Sequence, residues 1–159
     1  MSDKLQLTHI PSVQAAMLIR RPSDEVFRAF ADPTVTTRFW FTRSSGPMKP
    51  GATLRWDWEM YGVSTSVRVK EVDDDSRILF EWNDENPTTV EFRFTAVAGD
   101  ATFVEVTETG LSGDADQIVS HVAGSTGGFT IVLCAAKALL EHDLDLAAVR
   151  DRHPQGLSH

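Results

Sequence analysis

The chain has 159 residues, enough for one domain with a sizeable core. Its 23 acidic and 15 basic residues give a formal net charge of -8, which disfavours phosphate backbones and anionic membrane surfaces as partners. No apolar run approaches the roughly 20 residues that span a bilayer, the N-terminus lacks a secretory apolar core, and the lone Cys134 permits no internal disulfide. Together these features lead to the expectation of a cytoplasmic protein without nucleic-acid or membrane partners.

Residues 12–20 read as a first strand, with Val13, Ala15, Met17 and Ile19 on one face. Pro22 breaks it. Ser23 is expected to cap a helix whose first turn carries Asp24 and Glu25, where the helix dipole favours acids. Val26, Phe27, Phe30 and Ala31 then recur at helical spacing. Asp32-Pro33 ends that helix or starts a second short one, and the cluster Phe39, Trp40, Phe41 follows.

Five strands are expected next. Leu54, Trp56, Trp58 and Met60 alternate with Arg55, Asp57 and Glu59, a strict period of two. Tyr61-Gly62 reads as the turn into a return strand over 63–72, with Val63, Val67 and Val69 on one face. An acidic turn, Asp73 to Asp75, precedes Ile78, Phe80 and Trp82; Asn83 to Pro87 ends that strand. Val90, Phe92 and Phe94 alternate with Glu91 and Arg93, and Gly99-Asp100 turns into a last strand carrying Val104 and Val106.

From Asp114 to about His142 the pattern is one long helix, opened by a capping box of Asp114 and Gln117. Its apolar side carries Ile118, His121, Val122, Ser125, Phe129, Val132, Leu133, Ala136, Leu139 and Leu140. Gly124, Gly127 and Gly128 either weaken it near its start or let its backbone approach the sheet or a ligand. The implied architecture is α+β: a curved antiparallel sheet wrapped around a long C-terminal helix, with a short helical segment after the first strand. Residues 1–11 form an N-terminal extension, 12–145 the domain, and 146–159 a loose polar tail.

The segments PSDEVFRAFADP…RFW, KPGATLRWDW, RILFEW, TFVEVTETGL and GGFTIVLCAAKALLEH occur in this order. Their succession resembles the Hsp90-ATPase-activator-homologue (AHSA1-like) branch of the START-like, helix-grip superfamily, over about Ser12 to His142. That resemblance implies a helix-grip fold with a cavity between sheet and helix. It also implies a small hydrophobic molecule as partner, and brings a chaperone partner and a homodimer into consideration. Relatives often carry Trp where Phe129 follows Gly128 here. The chain resembles a single bacterial-type domain, without the added N-terminal domain of the eukaryotic co-chaperone.

For chemistry, the five histidines show no metal-ligand spacing, and no metal or cofactor is expected. GSTGG, Gly124 to Gly128, lies inside the expected helix and lacks the lysine of a phosphate loop. Cys134 reads as a buried, inert thiol; His142 and His153 read as solvated. Glu108 continues the inward alternation of Val104 and Val106, and His121 lies on the apolar side of the last helix. The two would hold a ligand's polar group or form an acid/base pair; the alternative is a rim carboxylate and a satisfied histidine. Trp56, Trp58, Phe80, Trp82, Phe92 and Phe94 share the concave face, with Phe39, Trp40, Gly128 and Phe129 near an entrance. They either fill a solid core or line a pocket. The functional expectation is a carrier, sensor or sequestering protein for a hydrophobic or aromatic ligand. The alternatives are a cyclase- or dehydratase-type enzyme in the same cavity, or a co-chaperone or interaction module.

Overall fold

The computed structural model describes residues 4–154. Its seven strands are β1 (Val13–Ile19), β2 (Arg43–Ser44), β3 (Thr53–Trp58), β4 (Val63–Asp73), β5 (Arg77–Trp82), β6 (Thr88–Val97) and β7 (Ala101–Thr109). They form one curved antiparallel sheet in the order β1-β7-β6-β5-β4-β3-β2. Strands β2 to β7 are a sequential meander, and β1 closes the far edge against β7, pairing Val13 with Glu108. Two short helices, α1 (Ser23–Ala31) and α2 (Pro33–Thr36), carry the chain from β1 to β2. The long helix α3 (Ala115–His142) follows β7, and a last turn, α4 (Ala148–Asp151), follows α3. This is the expected helix-grip arrangement.

The period-two segments set the register. Trp56, Phe80, Phe92 and Phe94 are almost wholly buried, whereas their neighbours Arg68, Glu81, Arg77, Glu91 and Arg93 pair on the opposite face. A one-residue slip would exchange the two sets, so burial of the aromatics fixes the pairing. From α1, Phe27 packs edge-on to Phe94 at 5.7 Å, and Phe30 lies 4.9 Å from Phe92 between ring centres. Full burial of such a side chain contributes about 1.5–3 kcal/mol.

Helix α3 begins as its capping box requires. Asp114 accepts from the Gln117 backbone N–H at 2.9 Å, and the Gln117 side chain accepts from the Asp114 N–H at 2.8 Å. Gly113 is needed just before it: φ is +111°, and a Cβ there would sit 2.5 Å from Gln117 Oε1. The helix runs unbroken through all three of its glycines.

Several local expectations are corrected. Ser23 is the first helical residue rather than the cap; Pro22 occupies that place, without a side-chain cap bond. Strand β3 ends at Trp58, because Glu59–Tyr61 wind into a 3-10 turn closed by Gly62 at φ 62°, so Met60 leaves the alternation. The two-residue strand β2 was too short to register as a pattern. Cys134 is half-buried rather than buried. Helix α3 is long and apolar enough, by length and composition, to cross a bilayer, contrary to the sequence reading. It is a core helix here: Phe129, Val132, Leu133, Ala136 and Leu139 are buried against the sheet side.

The segment after α3 also departs from a loose tail. The Tyr61 hydroxyl donates to the carbonyls of Val149 and, at 3.1 Å, Arg150. The Tyr61 ring lies edge-on to His153 at 5.7 Å. Local sequence could not announce this latch, because its halves lie 88 residues apart. Residues 155–159, including His159, lie outside the described residues.

Candidate functional site

Between the β3–β4 and β5 side of the sheet and the first half of α3 lies a cavity of about 620 Å³. Its origin is legible in the burial of α3. Between Ile118 and Phe129 no residue of the helix is buried, whereas from Phe129 onward the core face is closely packed. Where the helix stands off the sheet, its wall is Gly124, Ser125, Gly128 and Phe129. A Cβ built on Gly124 or Gly128 would meet nothing within 4 Å. Packing therefore does not demand glycine at either position. Each costs the helix about 0.5–1 kcal/mol relative to alanine, and what the pair provides is open space.

The sheet wall is aromatic. Trp40, Trp58 and Trp82 face the cavity, with Val63, Thr65 and Asn83 between them. Trp82 stacks on Phe129 at 5.8 Å and an interplanar angle of 24°; Trp40 lies 6.2 Å from Phe129. Tyr61, Val149, Arg152 and His153 complete the mouth.

The residues singled out from the sequence divide among four places. Trp40, Trp58, Trp82, Gly128 and Phe129 come together on the cavity. Trp56, Phe80, Phe92 and Phe94 form the packed layer beneath it: Trp40 meets Trp56 at 5.0 Å and Phe92 at 5.8 Å, and Trp56 meets Phe80 at 5.3 Å. Phe39 is buried against Phe30 and borders a second hollow of about 330 Å³ beside α4. His121 borders a third, polar hollow of about 250 Å³ with Asn86, Thr88, Ser112, Gly113 and Gln117.

Glu108 points inward as its alternation requires and is fully buried. One carboxylate oxygen, Oε2, accepts from Thr88 Oγ1 at 2.5 Å and Trp82 Nε1 at 3.2 Å, and lies 3.2 Å from His121 Nε2. Oε1 has no hydrogen-bond partner among the described residues. Trp82 thus joins two features: its ring forms a cavity wall, and its N–H holds Glu108. His153 is exposed, as expected, and its ring lies edge-on to Tyr61. Among the described residues no group of three or more His, Cys, Asp or Glu side chains could hold a metal ion.

Some lining residues carried a sequence signal. Gly124 and Ser125 share the helical face of Gly128 and Phe129, and Thr65 continues the face of Val63 and Val67. Val149, Arg152 and His153 carried none, since the Tyr61 latch brings them in.

The pattern of the family described as "Activator of Hsp90 ATPase homolog 1-like protein" matches residues 20–133. No curated protein sequence matches. Among solved structures, a protein from Staphylococcus saprophyticus is 26% identical, with a TM-score of 0.75 over 86% of this chain and 96% of that one. The Aha1 dimer from Colwellia psychrerythraea is 17% identical, with a TM-score of 0.72 over 83% of this chain and 97% of that one. DynU16, from the dynemicin biosynthetic locus, is 23% identical, with a TM-score of 0.70 over 84% of this chain and 48% of that one. The last two likenesses are of fold alone. The family pattern spans most of the chain, and the chain belongs to the Activator of Hsp90 ATPase homolog 1-like family.

Proposed function

We propose that this protein binds a small hydrophobic or aromatic molecule in the cavity between the sheet and α3, as a carrier, sensor or sequestering protein. The observation that carries this reading is the cavity's helix wall, where Gly124 and Gly128 keep about 620 Å³ open against Trp40, Trp58 and Trp82. Ligand sites typically occupy about 300–1,000 Å³ with mostly apolar walls and a few polar groups. Native mass spectrometry of the freshly purified chain tests it. A co-purifying small molecule, displaced when the protein is denatured, is the expected result. An unliganded mass, together with no tryptophan response across a panel of aromatic and alkyl compounds, refutes it.

A second reading, an enzyme of the cyclase or dehydratase kind, rests on the Glu108–His121 contact. The pair would act at the polar hollow behind Trp82, with His121 moving the proton and Glu108 orienting the ring. Glu108→Gln separates the two readings: loss of turnover with ligand binding intact supports the enzyme, and unchanged turnover removes it.

A further inference from the structure

We propose that the cavity takes an amphipathic organic anion: a carboxylate carried on an apolar alkyl or aromatic body, with Arg152 as its charged partner. This rests on the binding function proposed above and names the class of ligand. The chain is acidic overall, with a net charge of -8, yet among the described residues no Asp or Glu lines the cavity. The charged side chain on its wall is Arg152, at the mouth.

Most arginines here are held by carboxylates; Arg77, for example, pairs with Glu71, Asp73 and Glu91. Arg152 makes no ion pair with a carboxylate among the described residues. Its neighbour Asp151 is taken by Arg150 at 3.6 Å. Nor is Arg152 on a drifting tail: its backbone N–H donates to Ala148 O at 3.1 Å, and Tyr61 fastens the preceding turn through Val149 and Arg150.

The mouth therefore presents a guanidinium without a carboxylate partner among the described residues, at the rim of a tryptophan-walled apolar space. A planar guanidinium binds a carboxylate through paired, charge-assisted hydrogen bonds. An alkyl or aromatic body placed against Trp40, Trp58 and Trp82 would leave its polar end at this rim. A neutral ligand of the same body would gain the apolar contact alone.

The test compares decanoate with decanol, each titrated into the full chain and followed by the fluorescence of the cavity tryptophans. Decanoate should bind about tenfold or more tightly than decanol, and added salt should narrow the gap. Arg152→Gln should weaken decanoate about tenfold and leave decanol unchanged. Arg152 is exposed, so the variant should melt as the wild type does. Equal binding of acid and alcohol, or an equal loss of both in Arg152→Gln, overturns the anion assignment while sparing the cavity. If neither compound binds, both the assignment and the proposed binding function fall.

Discussion

Glu108 sits at the end of β7 with no solvent contact; one oxygen accepts from Thr88 and Trp82 and lies 3.2 Å from His121 Nε2, and the other has no partner among the described residues. Removing it takes the acceptor from the buried Thr88 hydroxyl, while the Trp82 N–H keeps Thr88 Oγ1 at 3.0 Å. Glu108→Ala should lower stability by about 2–3 kcal/mol in urea unfolding, the cost of a buried polar group left unmet. Glu108→Gln should cost less, because its amide oxygen can still accept from the same donors. Glu141 offers a second case at this scale. Its carboxylate accepts from the Arg20 N–H at 2.8 Å and from Lys137 at 2.6 Å, tying the last turns of α3 to the end of β1. Burial works to raise its pKa, but the bonds from Lys137 and Arg20 outweigh it and hold the value below the ordinary 4.5. A depressed folded pKa stabilises the fold above 4.5 and loses that contribution as pH falls from there through the folded value. Wild-type melting temperature should therefore drop over that acid range, and Glu141→Gln should be less stable at neutral pH with a shallower decline. Alternation along β7 made the inward direction of Glu108 legible in the sequence. Its partners were not, because Thr88, Trp82 and His121 reach it from three other elements.

At the scale of elements, α3 combines two demands. Its C-terminal half packs like any core helix, while its N-terminal half carries glycines that packing does not require. Gly127 is exposed, does not line the cavity, and has open space where a Cβ would go. Gly127→Ala should therefore stabilise the protein by about 0.8–1 kcal/mol, with ligand binding unchanged. A thermal melt beside a binding titration checks both. Strands β3 to β7 and the span of α3 were readable because long, regular alternation and a helical stripe admit one burial pattern each. The 3-10 turn at Glu59–Tyr61 and the pair Arg43–Ser44 were not, since neither extends over one period of any pattern. The six concave-face tryptophans and phenylalanines were identifiable as inward-facing, but whether each fills the core or borders space depends on where α3 stands off the sheet. That stand-off is a tertiary property that no alternation encodes.

Across the whole molecule, the cavity exists because the meander, the stand-off of α3 and the Tyr61-latched C-terminal turn meet at one end of the sheet. The order of family segments made the meander and the placing of α3 across it legible, but not how far α3 stands off. The third depends on a contact between residues 88 positions apart in segments without a shared motif. The central claim is that this space receives a ligand, and Gly128 is the place to challenge it, because its missing side chain faces the opening. The most direct measurement is titration of the neutral fluorescent probe N-phenyl-1-naphthylamine into wild type and Gly128→Leu, with melting curves as the folding control. Saturable binding by wild type, weakened about tenfold or more in a Gly128→Leu variant that still melts cooperatively, is the expected result. Absence of binding by wild type, or equal binding by the folded variant, would contradict the claim.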